Sequence, residues 1–313
     1  MRFGIIGTNW ITDHFIKAAS AHPEFSLGAV YSRTMEKAKM FAEKYQIKHV
    51  YTNLEEMFQS GNIDAVYIAS PNKFHAEQSI LAMKNRIHVL CEKPAVTSVQ
   101  EMDEVIQTAK TYNTMFMEAM KSTVTPTFLN LKKHLDEIAP IRRFVFHYNQ
   151  YSSRYDKYKE GIIENAFKPE LGNGSKMDLG VYCLAPIVHL VGEPKSIVKN
   201  HYYLSTGADG QGSMILHYDN FEAVVMYSKI TDSFFPSEIQ GEKGVIEIDK
   251  ISDPKKVVIK YRNGEIKDLT VEHKFETMYY EVEEFINCVK NDKIESDINS
   301  HERTKQVVKL LTM

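Results

Sequence analysis

Three short sets of residues have the types and spacing for proton chemistry at a hydroxyl group. Glu92-Lys93-Pro94 places an amine beside a carboxylate, and Ser70-Pro71-Asn72 with His75 gathers a hydroxyl, an amide and an imidazole in one loop. Far downstream, Asp178 and Tyr182 stand four residues apart in an apolar stretch, so a helix there puts a carboxylate and a phenol on one face. Tyr182 suits hydrogen bonding or proton transfer at a reacting oxygen, and Asp178 suits orienting a substrate or Lys93. Lysine serves as a proton-transfer group near neutrality only where burial or a second cation lowers its pKa. Each residue also has a plainer reading: Lys93 as a strand-end surface lysine, His75 as a structural histidine, Asp178 as a helix-start acid in front of a core tyrosine.

A fourth set opens the chain. The apolar run 2–6 leads into Gly7-Thr8-Asn9-Trp10-Ile11, where a G-x-G-x-x-G/A loop would bring backbone N–H groups and a helix N-terminus against a pyrophosphate. Only the first glycine of that pattern is present. Asn9 replaces the second, and asparagine tolerates positive φ well enough to keep a tight turn while its amide donates to phosphate. Thr12 takes the small-residue position. The next apolar run ends in Ser32-Arg33 with Lys37 a turn later, where an NAD site would offer an acid to the ribose; the first acid is Glu36. Arg33 can fork onto a 2′-phosphate, so NADP is the expected cofactor and NAD the second choice.

These residues need elements to hold them. Over the first 120 residues, apolar runs at 2–6, 26–31, 65–68, 88–91 and 114–118 alternate with segments of helical period at 10–21, 34–45, 74–84 and 98–112. Ser98 and Glu101 form a capping box at the start of the last. About six βα-type steps imply a doubly wound parallel sheet of Rossmann type, with the motifs at strand carboxyl ends where such folds bind ligands. Beyond residue 120 the pattern changes. Thr125-Pro126 opens a helix to about 138, a strand follows at 142–148, and 195–271 reads as antiparallel strands with hairpin turns at Asp219-Asn220 and Asn263-Gly264. The helix carrying Asp178 and Tyr182 runs from 176 to 191, stops at Gly192, and is expected to kink at Pro186. Helices at 276–289 and 300–311 close the chain. The expected architecture is a Rossmann domain over 1–120 and an α+β domain over 121–313 with a large, mostly antiparallel sheet. The donor-rich stretch Tyr148 to Lys157 suits a hydroxylated ligand or an ordinary exposed loop.

The formal net charge of −3, with no long like-charge block, excludes a nucleic-acid or anionic-membrane field. No window approaches a membrane helix and no cleavable leader is legible, so a cytoplasmic location is expected. Three scattered cysteines, Cys91, Cys183 and Cys288, form neither a disulfide framework nor a zinc cluster, and no metal is expected.

With Ser70-Pro71-Asn72 and His75, Glu92-Lys93-Pro94, and Asp178-Leu179-Gly180-Val181-Tyr182 in place, the chain resembles, over nearly its whole length, the Gfo/Idh/MocA oxidoreductases. The Tyr182 form, with Glu170-Leu171-Gly172-Asn173-Gly174 before it, looks like the dihydrodiol and xylose dehydrogenase branch. The resemblance implies that Lys93 is the catalytic lysine near the nicotinamide and that Glu92 and Pro94 shape the cofactor pocket. It implies hydride transfer between a hydroxyl-bearing carbon of a sugar, polyol or cyclic diol and the nicotinamide. The likeness also implies pairing into a homodimer or homotetramer through the C-terminal sheet. Two rivals belong to other classes: a nicotinamide-nucleotide sensor without chemistry, and a redox-assisted glycosidase.

Overall fold

The computed structural model describes residues 1–313, which divide into two compact units. The first comprises 1–120 with 275–308 and residue 312; the second comprises 121–274 with 309–311 and residue 313.

In the first unit the strands are β1 (Arg2–Ile6), β2 (Ser26–Tyr31), β3 (His49–Tyr51), β4 (Ala65–Ile68), β5 (His88–Glu92) and β6 (Phe116–Ala119). They alternate with α1 (Trp10–Ala19), α2 (Met35–Tyr45), α3 (Leu54–Gln59), α4 (His75–Lys84) and α5 (Val99–Tyr112). All pairings are parallel, in the order β3-β2-β1-β4-β5-β6. That is the doubly wound order, with a crevice at the carboxyl ends of β1 and β4 where the winding reverses. β4 is buried throughout, as a sheet covered on both faces requires. The capping box at α5 forms as expected, Ser98 accepting from the Glu101 N–H and Glu101 reaching back. β3 and α3 went unread because three and six residues are too few to display a period.

The second unit contains α6 (Pro126–Lys133), β7 (Ile141–Asn149), α7 (Tyr155–Lys159), α8 (Val181–Val191) and seven further strands. These are β8 (Ser196–Tyr203), β9 (Asp209–His217), β10 (Glu222–Ser228), β11 (Ser237–Gly241), β12 (Gly244–Ile248), β13 (Val257–Tyr261) and β14 (Ile266–Asp268). The eight strands run β14-β13-β12-β11-β7-β10-β9-β8, and only β7 with β10 is parallel. Hairpin turns fall at 219–220 and 263–264 as read from sequence. Thr125 caps α6 with Pro126 in its first turn, but α6 stops at Lys133 and continues to Ile138 as a 3₁₀ turn. One sheet face buries Phe144, Phe146, Val225 and Leu216 beneath α8.

The chain then returns. α9 (Thr277–Lys290) packs on α1, and its Met278, Val282, Phe285 and Ile286 join the core of Phe3, Phe15 and Tyr67. Val308 of α10 (His301–Thr312) joins the other core of the same unit. The sequence reading divides the chain at residue 120; in the fold, residues 275–308 pack with the first compact unit. Helical period shows that a helix has an apolar face, not which sheet covers it.

Candidate active site

At the β1 end, Gly7 adopts φ 102° and a Cβ there would lie 2.4 Å from the Ala69 carbonyl oxygen. Only glycine fits this approach of β1 to the end of β4. Thr12 is buried and donates to the Gly7 carbonyl at 2.8 Å, so the small-residue position is filled by a threonine that braces the turn. The expectation for Asn9 needs correcting. Its φ is −105°, in the extended region, and its amide donates to Ala69 O at 2.8 Å. Its Oδ1 accepts from the Ile11 and Thr12 N–H groups as the N-cap of α1. Asn9 is therefore a cap tied to the β4 end, because a side-chain carbonyl satisfies helix-start donors best from extended backbone. Thr8 and Ile11 flank it, and Trp10 is 59% exposed at the first helical position. Ser32 and Arg33 follow β2, with Arg33 and Lys37 exposed.

His75 joins the two motif loops. Fully buried, it sets Nδ1 2.9 Å from Pro94 O and Nε2 2.8 Å from Ser70 O. Burial holds its pKa below the ordinary value. A neutral imidazole has one N–H, so one contact is donated at a time. His75 acts by clamping the Ser70-Pro71-Asn72 loop to the Glu92-Lys93-Pro94 loop, with no exposed surface of its own. Ser70 Oγ donates to Gln78 at 2.7 Å.

Beneath Lys93 lie two carboxyl groups. Glu92 accepts from the Tyr67 hydroxyl at 2.5 Å, and Glu118, on β6, accepts from the Ala95 N–H at 2.9 Å. Burial, reinforced by the charge of Glu92, raises the Glu118 carboxyl to about 7; the Ala95 hydrogen bond and the charge of Lys93 oppose that rise. The returning segment holds the β6 end in turn, Asn299 donating to the carbonyls of Glu118 and Met120. Sequence reading missed Glu118. A carboxylate inside the apolar run Met115-Phe116-Met117-Glu118-Ala119 was the available signal.

In the second unit, residues Lys176–Gly180 form a π-helical turn that leads into α8, which ends at Gly192. The departure from α geometry thus lies at Asp178, upstream of the kink expected at Pro186. Gly180 lets this turn sit on the sheet, since a Cβ there would come 2.9 Å from the Tyr227 ring. π-Turns recur at functional sites because the extra residue re-aims side chains. Asp178 pairs at 2.6 Å with Lys229, a buried residue just past β10 that sequence reading did not single out. Tyr182 is buried, edge-on to Tyr148 at 5.7 Å, with the Lys121 ammonium 6.0 Å from its ring. The stretch after Tyr148 folds on itself instead of opening as a loop. Tyr151 donates to Asp156, Arg154 and Lys157 pair with Glu164, and Tyr155 and Tyr158 pack on Phe167.

A model of the oxidoreductase family with an NAD-binding Rossmann fold matches residues 1–120, and its C-terminal alpha/beta domain matches residues 144–305. The chain belongs to the Gfo/Idh/MocA family. This Gfo/Idh/MocA protein is 50% identical to scyllo-inositol 2-dehydrogenase (NADP(+)) IolU of Bacillus subtilis, over 99% of this chain and 95% of that one. It is 28% identical to a trans-1,2-dihydrobenzene-1,2-diol dehydrogenase of Xenopus tropicalis, over 99% and 96%. Among solved structures, KijD10, a 3-ketoreductase from Actinomadura kijaniata, matches with a TM-score of 0.87 at 20% identity, covering 99% of this chain and 95% of that one. That last likeness is one of fold.

The first unit of this oxidoreductase fits a dinucleotide. Gly7 packs against the end of β4 at the switch point, α1 begins just after it, and hydroxyl and guanidinium groups stand after β2. Gly7, Thr8, Trp10 and Ile11 would lie toward the pyrophosphate of such a ligand, and Ser32, Arg33 and Lys37 toward its ribose end.

Proposed function

We propose that this oxidoreductase interconverts a secondary alcohol and a ketone on a sugar, polyol or cyclic diol with NADP as cofactor, scyllo-inositol being the first substrate to try. The observation that carries this is 50% identity along the whole length to an NADP-dependent scyllo-inositol dehydrogenase, with all three motifs intact. When bound, the nicotinamide supplies the hydride acceptor. The chain's residues manage the proton and the alignment. Lys93 and Tyr182 act on the same hydroxyl proton, one taking it as the carbonyl forms and the other holding the oxygen. Asp178 orients the substrate. Glu92 and Pro94, with Ser70, Pro71 and Asn72, shape the nicotinamide end of the pocket, braced by His75.

Arg33, with Ser32 and Lys37, supports NADP over NAD because no acid stands at the end of β2 itself, the first being Glu36. A panel of inositols, sugars and cyclic diols assayed with NADP and NAD tests the reading. Reduction of NADP by scyllo-inositol, with oxidation of the alcohol to the ketone, is expected, as is at least a tenfold fall in the NADP to NAD ratio of kcat/KM in Arg33→Ala, about 1.4 kcal/mol. No reduction across the panel would reject it.

The finer expectations of a cytoplasmic location and self-association belong to the same reading. Support for the latter is a row of β-branched side chains at one register on the open sheet face, Val198, Ile215, Val224 and Val145 on four adjacent strands. A second copy is the natural cover for such a row. A monomer by light scattering at micromolar concentration would reject it.

A further inference from the structure

The second unit holds one buried ammonium beside a carboxylate named above as substrate-orienting. The Lys229 side chain is 5% exposed and Asp178 is 39% exposed, with 2.6 Å between Nζ and Oδ2. The lysine is fixed at both backbone ends, its N–H donating to Gly210 O at 2.8 Å and its carbonyl accepting from Ser152 N at 2.9 Å. Ser228 just before it accepts from the Ile230 and Thr231 N–H groups, pinning the turn that carries it. Its ammonium lies 5.9 Å from the Phe167 ring.

A buried ammonium is costly without a partner, and a buried ion pair kept only for stability is replaceable by apolar side chains. Here the burial is one-sided. The cation is sequestered and the carboxylate faces outward from a π-turn, which is the arrangement of a support behind a ligand-contacting group.

We infer that Lys229 is a positioning residue of the reaction, the buried counter-cation that holds the Asp178 carboxylate in its substrate-orienting place. The inference rests on the reading of Asp178 given under the proposed function. Lys229 touches neither substrate nor cofactor and acts through Asp178. Its loss should therefore appear in substrate recognition and not in cofactor affinity.

The test measures kcat and KM for scyllo-inositol at saturating NADP, Kd for NADP, and thermal unfolding, in Lys229→Met, Lys229→Arg and Asp178→Asn. Lys229→Met is expected to raise KM at least tenfold with Kd for NADP within twofold of wild type, and Lys229→Arg to recover most of that loss. Asp178→Asn should unfold at a lower temperature than Lys229→Met, because it strands the sequestered charge. Should Lys229→Met not fold, Lys229→Gln is measured in its place with the same expectation. Wild-type kcat and KM in the neutral variant, with Asp178→Asn impaired, would overturn the inference and leave the role of Asp178 standing. Wild-type kinetics in Asp178→Asn would instead overturn the reading of Asp178 itself.

Discussion

The two units hold their candidate site residues in opposite ways. In the first, Gly7, Ser70 and Lys93 all follow parallel strands, so one sheet edge collects residues that lie close together along short βα steps. Their support is equally local: Asn9 ties α1 to the β4 end, and His75 ties the β4 loop to the β5 loop. In the second, Asp178, Tyr182, Tyr148, Lys121 and Lys229 come from four separate stretches of chain, assembled on a π-turn and a sheet whose neighbours are mostly antiparallel. A parallel sheet makes a site readable from motifs, whereas a mixed sheet hides half of the site in long-range pairing.

The comparison breaks first at Glu118, the buried acid beneath Lys93. Its folded pKa, about 7, lies above the ordinary 4.5, so the folded state holds the proton more tightly than the unfolded chain. Stability from this group is therefore greatest at low pH, declines as pH rises from about 4.5 to 7, and stays reduced above. Glu118→Gln keeps an acceptor for the Ala95 N–H and does not titrate. Relative to wild type, it should gain on the order of 3 kcal/mol between pH 4.5 and pH 8 in denaturant unfolding. Parallel pH dependence of the two proteins would show that the acid is not held neutral. In the second unit the counterpart is Gly180→Ala, whose methyl meets the Tyr227 ring. About 1–3 kcal/mol of stability should be lost and the Asp178 turn displaced, seen as a lower unfolding midpoint with a raised KM for substrate. An unchanged midpoint would mean that the π-turn has room to move.

The same contrast explains what the sequence disclosed. The strands 2–6, 26–31 and 65–68 and the capping box at Ser98 were legible because β-branched runs and capping chemistry are local signals. Asn9 was read into the β1–α1 turn with the wrong conformation, since motif logic asked it to imitate glycine while helix capping offered it a better use. Lys229 carried no signal: a lysine after a strand reads as solvated, and only pairing across β10 and the π-turn reveals that it is buried. The helices at 276–289 and 300–311 were legible for their period, but the sheet they pack on was not, for the same reason.

The central proposal is that Lys93 and Tyr182 act on a single proton. A double-mutant cycle of Lys93→Ala and Tyr182→Phe, followed by kcat at saturating substrate and by Kd for NADP, tests it most directly. Lys93→Ala should lose at least ~10² in kcat, the lower end for a general acid–base group, with NADP still bound. The double variant should lose less than the product of the two single losses, because groups that share one proton are not independent. Near-normal turnover in Lys93→Ala, or losses that multiply, would contradict the account, and the former would favour a nicotinamide-nucleotide sensor without chemistry.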